Sequence, residues 1–234
     1  MKPEYSHDLM RIYNGEPLSY VIGSTPFLNT TIDVSKRPFL PRVETEFWLH
    51  KALSEIDAKK KIHCMDIFSG SGCIGVALLK SLPRATVTFA EKNPLYIEQI
   101  KINLKINSIE RGRATLLQSD VFSSIQGQKK YDFIFANPPY ISKRRRQSVQ
   151  PSVLAWEPES ALFAPDRGLF YIKTLLREFP SYLIQSGTLF IEFDSWQKRY
   201  IENYTQQLQL QFKYKHVEFW RDQYKKWRVL KVTL

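Results

Sequence analysis

Asn137, Pro138, Pro139 and Tyr140 together carry the groups needed to hold a planar NH2 group. The Asn137 amide and the backbone carbonyl of Pro138 are oxygen acceptors, and Tyr140 adds a flat aromatic face. Proline fixes φ, lacks an N–H and keeps the preceding residue extended, so both acceptors can face one small volume. The motif directly follows the apolar run Tyr131 to Ala136. That run predicts a buried strand, and two successive prolines cannot continue its ladder, so the chain must leave the sheet there. The clamp therefore stands at a strand's carboxyl end, where open α/β sheets place ligands. Taken alone, the tetrapeptide also reads as a proline-rich turn, and the other strand ends have to decide.

Those strand ends carry matching chemistry. Phe68-Ser69-Gly70-Ser71-Gly72 lies between a predicted strand, Ile62 to Phe68, and a predicted helix, Cys73 to Leu82. Its glycines let bare backbone approach a ligand. Glu91 follows Gly70 by about 20 residues, at the end of the predicted strand Ala85 to Ala90, where an acid can accept hydrogen bonds from both hydroxyls of a ribose. Asp120 comes after the third strand, Ala114 to Leu117, placed to take an adenine amino group, with Val121 as an apolar surface under the ring. Each acid singly reads as an exposed strand-end residue; their succession before the fourth strand end sets them apart. The glycine loop alone also fits dinucleotide-binding proteins, but it does not complete their fingerprint, and an adenosyl ligand without phosphates fits better.

The elements that must position these groups alternate strand and helix from Ile62 onward. A helix is predicted from Pro94 to Asn107, with proline in its favoured first turn. After the clamp come a helix from Gly168 to Leu183, a strand from Gly187 to Phe193 and a helix from Gln197 to Leu208. Two last strands, Phe212 to Val217 and Trp227 to Leu234, form an antiparallel edge hairpin. Before Ile62, a short helix spans His7 to Tyr13, Gly15 to Tyr20 turns into Val21-Ile22-Gly23, and Pro26 to Val34 reads as a β-hairpin turning at Asn29-Thr30. Prolines keep Pro38 to Glu46 extended until Glu44 or Thr45 opens a helix through Ile56. The expected division is residues 1–45, an N-terminal segment with the hairpin, and 46–234, the α/β domain.

Composition narrows the class. With 43% hydrophobic and 24% charged residues, the 234-residue chain falls in the globular range and can bury a substantial core. No apolar run approaches the ~20 residues a membrane span needs, and the N-terminus, with Glu4 and Asp8, lacks a signal core. Cys64 and Cys73 fall in or beside predicted buried elements, which argues against a disulfide framework or a zinc site. The formal charge of +11 points to a polyanionic neighbour such as nucleic acid or a ribosome-associated partner. Lys59-Lys60-Lys61 reads as a solvated turn. Lys143-Arg144-Arg145-Arg146 follows the clamp and is either a partner contact at the mouth of the site or an exposed loop.

From Gly15 to its end the chain resembles class I S-adenosylmethionine-dependent methyltransferases, and within them the HemK/PrmC family of protein N5-glutamine methyltransferases that modify peptide-chain release factors. The resemblance is carried by Gly15 to Tyr20, Leu40-Pro41-Arg42-Val43-Glu44-Thr45-Glu46, Asp66 to Gly75, Asn137 to Tyr140, Trp156-Glu157-Pro158 and Glu192 to Gln197. Asn-Pro-Pro-Tyr is shared with adenine and guanine amino-group methyltransferases, whereas the Arg42 segment and Trp156-Glu157-Pro158 favour the glutamine enzymes. The resemblance implies a Rossmann-like, mostly parallel seven-stranded sheet with an antiparallel C-terminal hairpin. It also implies S-adenosylmethionine held by Asp66, Phe68 to Gly72, Glu91, Asp120, Val121 and Asn137. Asn137, Pro138, Pro139, Tyr140, Arg42 and Glu157 would meet the substrate, with Asn137, Pro138 and Tyr140 doing the catalytic work and no metal. The partner would be a class I release factor bearing a Gly-Gly-Gln loop, met by a monomer in a ribosome-proximal setting. A nucleic-acid amino methyltransferase is the alternative, although no separate target-recognition domain is evident. Glu91 stands where the family more often has Asp. Only residues 1–14 precede Gly15, where the family carries a helical domain that helps hold the release factor, so recognition is expected to fall to the hairpin, the basic loop or something absent from this chain. The basic balance and the resemblance suit a mitochondrion, with the cytosol as the alternative.

Overall fold

The computed structural model describes residues 3–127, 130–212 and 214–234. It opens with α1 (Pro3–Tyr13) and α2 (Leu18–Ile22), between which Glu16 is buried against Arg11 and Arg37. The hairpin β1 (Ser24–Phe27) and β2 (Thr30–Asp33) leads to α3 (Val43–Ser54). Strand and helix then alternate through β3 (Ile62–Ile67), α4 (Cys73–Ser81), β4 (Ala85–Glu91), α5 (Pro94–Ile106), β5 (Ala114–Gln118) and β6 (Tyr131–Ala136). Beyond the clamp lie β7 (Ile141–Ser142), α6 (Pro151–Trp156), α7 (Glu159–Leu162) and β8 (Phe163–Ala164). The chain ends with α8 (Phe170–Glu178), β9 (Leu183–Glu192), α9 (Lys198–Phe212), β10 (His216–Arg221) and β11 (Trp227–Thr233).

Seven strands form one sheet in the order β10-β11-β9-β6-β3-β4-β5, parallel from β9 to β5 and antiparallel through β11 and β10. Its central strands are buried on both faces, which explains their continuous apolar runs. One face packs α3 and α4, with Trp48 stacked near Phe135 and Phe190; the other packs α8 and α9 through Ile172, Leu175, Leu176 and Ile201. Each of these large apolar side chains contributes about 1.5–3 kcal/mol on burial. The parallel crossovers bring the carboxyl ends of β3, β4, β5, β6 and β9 to one rim. Among the described residues, no helix is long and apolar enough to cross a membrane.

Several expected boundaries move, each for a local reason. The hairpin turns at Leu28-Asn29, not Asn29-Thr30, because Thr30 is buried with its hydroxyl donating to the Phe27 carbonyl, 2.6 Å. Val21 and Ile22 belong to a one-turn helix closed by Gly23. The helix expected to reach Leu183 ends at Glu178, where Phe179-Pro180-Ser181 tightens into a 3-10 turn, and its strand begins at Leu183, paired with Tyr131. The edge strand expected at Phe212 begins at His216, because Leu208 and Phe212, four apart, continue the helical stripe of α9 into the core.

A buried ladder of amides joins the N-terminal hairpin to the sheet domain. Gln99, Asn103 and Asn107 recur every four residues on α5. The Asn103 amide accepts the Asp33 N–H at 2.7 Å and donates to the Asp33 carbonyl at 3.1 Å; Asn107 treats Thr31 likewise, at 3.1 and 2.7 Å. Gln99 accepts the Lys36 N–H at 2.8 Å. These side chains serve the free backbone edge of β2 as another strand would.

Candidate active site

β3 leaves the sheet through a loop in which Phe68, Gly70 and Gly72 all take positive φ. At Gly72, φ is +79° and an added Cβ would lie 2.9 Å from Ile100 Cγ1, so both conformation and space call for glycine. Asp66, 1% exposed, accepts the Gly75 N–H at 2.9 Å through Oδ2, which ties the loop to the first turn of α4. Its Oδ1 is buried without a partner, and burial pushes this carboxyl up to about 8. Glu91, at the end of β4, accepts the Gly70 N–H through Oε2 and the Asn93 N–H through Oε1, both at 2.8 Å. Burial raises its pKa against the lowering by those backbone donors.

A cavity of about 320 Å³ opens over this rim. The loop and Glu91 form its floor. Asp120, Val121 and Tyr171 form one side, with Tyr171 edge-on to Phe68 at 5.1 Å, and Asn137 and Pro139 form the other. Phe39, Pro41, Arg42 and Thr45 cover it from the N-terminal segment. Asp120 pairs with Lys92 at 2.7 Å across the mouth.

Behind the Asn137 side lies a hydrogen-bonded cluster centred on Glu192. Asn137 Nδ2 donates to Thr45 Oγ1 at 3.2 Å, and the Thr45 hydroxyl donates to Glu192 Oε2 at 2.6 Å. The Trp48 indole N–H donates to the same oxygen at 2.7 Å, and the Tyr140 hydroxyl donates to Glu192 Oε1 at 2.9 Å. Burial, and then the charge of Glu192, raise the pKa of the Tyr140 phenol.

The structure gathers Phe68, Ser69, Gly70, Ser71, Glu91, Asp120, Val121, Asn137, Pro139 and Arg42 around one cavity. Asp66, Gly72, Pro138, Tyr140 and Glu157 stand off it, each for a visible reason. Asp66 and Gly72 shape the loop from beneath, and Pro138 is buried at the clamp's corner. Tyr140 was expected as a stacking face; its hydroxyl instead turns inward to Glu192. Glu157, expected in the substrate pocket, is buried and pairs with Arg42 while accepting the Leu40 N–H at 3.0 Å, so it anchors the covering segment. The basic loop is also off the cavity lining: Arg145 pairs with Asp194 at 3.4 Å and lies over Trp196, and Arg146 pairs with Glu159. Sequence reasoning gave no role to Tyr171, and none to Glu192 beyond its place in a family signature. Glu192 carried a signal, an acid closing an apolar strand, whereas Tyr171 carried none.

An adenosyl group suits this donor set. Glu91 presents a carboxylate for a diol, Val121 offers an apolar surface to a ring, and the cavity's cations, Arg42 and Lys92, are paired with Glu157 and Asp120. The methyltransferase small domain matches residues 49–156. A Pyrococcus furiosus methyltransferase superposes with a TM-score of 0.62 at 14% identity, covering 97% of this chain and 98% of that one. A predicted O-methyltransferase of Agrobacterium tumefaciens superposes with a TM-score of 0.54 at 16% identity, covering 77% and 78%. Sheet order and glycine-loop rim therefore define a class I S-adenosylmethionine-dependent methyltransferase fold.

Among curated relatives, the release factor glutamine methyltransferase of Flavobacterium psychrophilum is 26% identical over 96% of this chain and 78% of its own length. Those of Geobacter sulfurreducens and Streptococcus pneumoniae are each 34% identical over 76% of this chain. Over most of its length the chain is thus similar to release factor glutamine methyltransferases of the HemK/PrmC kind. It spans 60% and 61% of the Geobacter and Streptococcus relatives' lengths.

Proposed function

We propose that the chain transfers a methyl group from S-adenosylmethionine to the side-chain nitrogen of the glutamine in a release factor's Gly-Gly-Gln loop, and so modulates translation termination. The observation that carries this reading is Asn137 lining the same cavity as Glu91 and Asp120, with its amide nitrogen engaged by Thr45. The names of the relatives support the choice of acceptor. When bound, S-adenosylmethionine supplies an electrophilic sulfonium methyl. An amide nitrogen is a poor nucleophile because its lone pair is delocalised, so the protein's task is orientation and electrostatics. Asn137 Oδ1 accepts one N–H hydrogen and aims the nitrogen; the Pro138 carbonyl, off the cavity lining in this structure, is the expected acceptor of the other. Glu91 holds the ribose hydroxyls, and Asp120 takes the adenine amino group. The Arg42–Glu157 pair keeps the covering segment over the cavity. The amide proton leaves to solvent.

Labelled methyl transfer to purified release factor, RNA and DNA separates this reading from a nucleic-acid amino methyltransferase by which acceptor gains label. Asn137→Ala is expected to lower transfer to release factor by about 10²-fold, measured at saturating cofactor, while the cofactor is still bound through Glu91, Asp120 and the glycine loop. Normal turnover in that variant would sink the assignment. The +11 charge supports a ribosome-proximal setting and a mitochondrial compartment, and cell fractionation distinguishes the latter from the cytosol.

A further inference from the structure

The orientation of the Asn137 amide is decided by a residue the cavity does not contain. Glu192 closes β9 and is 1% exposed. An indole N–H can only donate, so the Glu192 Oε2 that receives Trp48 at 2.7 Å is an acceptor. Glu192 Oε1 receives the Tyr140 hydroxyl at 2.9 Å, a phenol that burial and the Glu192 charge keep protonated. Thr45 has one hydroxyl hydrogen, and its 2.6 Å bond to Glu192 uses it. The Thr45 oxygen then has only lone pairs to offer Asn137. The two ends of an asparagine amide are nearly the same size, so sterics do not choose between them. Here one orientation gives a donor against an acceptor, and the other sets two acceptors face to face.

We propose that Glu192, acting through Thr45, holds the Asn137 amide with its oxygen toward the cavity, and that this polarity makes the site accept a carboxamide and reject the isosteric carboxylate. The inference rests on the reading that Asn137 receives the acceptor group. Glu192 and Thr45 are positioning residues: neither needs to touch the substrate. A site built to receive N–H donors discriminates strongly against an analogue lacking them, because its acceptors would face a charge of their own sign.

The test compares binding of a Gly-Gly-Gln peptide and a Gly-Gly-Glu peptide to the cofactor-loaded protein, together with turnover. The protein is expected to prefer the glutamine peptide by ~10²-fold or more. Thr45→Val, which removes the hydroxyl at nearly constant shape, is expected to lower that preference at least tenfold and kcat by roughly 10–100-fold, both read at saturating cofactor. Thr45→Ser restores both. Glu192→Gln keeps a carbonyl oxygen facing Thr45 and Trp48 and is expected to retain the preference, whereas Glu192→Leu loses it. In an Asn137→Ala background, Thr45→Val is expected to add less than twofold. An unchanged peptide preference in Thr45→Val, or an equal effect with and without Asn137, overturns the proposal. If neither peptide binds the unaltered protein, the functional reading fails on its own account. The relay is then judged by hydrogen exchange of the Asn137 side-chain NH2 in 15N spectra. Protection that Thr45→Val abolishes supports it, and solvent-rate exchange in the unaltered protein refutes it.

Discussion

Gly168→Ala tests whether the clamp is held from behind. Gly168 ends the short turn before α8 with φ +83°, and an added Cβ would lie 2.0 Å from the Tyr140 carbonyl oxygen and 2.8 Å from Gln197 Nε2. The Gln197 amide bridges that carbonyl, at 3.0 Å, and the Arg167 carbonyl, at 3.2 Å. Cβ contacts under 3.0 Å are essentially never seen, so the carbonyl must withdraw by at least 1.0 Å and the bridge must break. The left-handed conformation costs about 1–2 kcal/mol for a residue with a Cβ, and two lost hydrogen bonds about 0.5–1.5 kcal/mol each. The sum, roughly 2–5 kcal/mol, lies below a typical domain stability of about 5–15 kcal/mol, so the variant folds with a lower Tm. An ångström of misplacement at a reacting centre costs about 10²-fold in rate. Turnover is therefore expected to fall by about that factor, while cofactor affinity, set by Glu91 and the glycine loop, holds. Thermal melts, labelled methyl transfer and cofactor titration measure the three quantities. Normal turnover with an unchanged Tm would refute the argument, because the backbone would then not have moved.

Two further expectations concern pH. The Asp66 carboxyl titrates near 8 in the folded protein against its ordinary value of 3.8, so between those values the native state holds a proton the unfolded chain lacks. Stability should fall as pH rises through that window, by as much as ~1.4 kcal/mol per unit. Asp66→Asn should flatten the slope in denaturant midpoints measured from pH 5 to 8; a slope that persists would place its origin elsewhere. Glu16 behaves oppositely: Arg11, and after burial Arg37, hold it down at about 2. Its stabilisation is present above its ordinary 4.5 and is lost as pH falls from there toward 2. Glu16→Gln should destabilise by roughly 1–3 kcal/mol at pH 7, with the gap to the unaltered protein closing in acid. A gap of constant size from pH 7 to pH 2.5 would rule out the ion pairs as its source.

Strand–helix alternation, the glycine turn and the acid-bearing strand ends are written locally in the chain. Apolar runs, prolines and glycines act on their own few residues, so Glu91, Asp120 and Asn137 were legible at their places. Where a side chain turns is settled when distant segments meet in the folded molecule. Thr45 and Glu192 are 147 residues apart, Arg42 and Glu157 115, and Tyr140 and Glu192 52. A buried carboxylate must find its donors wherever the packed chain supplies them. Glu192 drew Tyr140 away from the cavity and Arg42 drew Glu157 beneath the covering segment, and no local pattern carries that information.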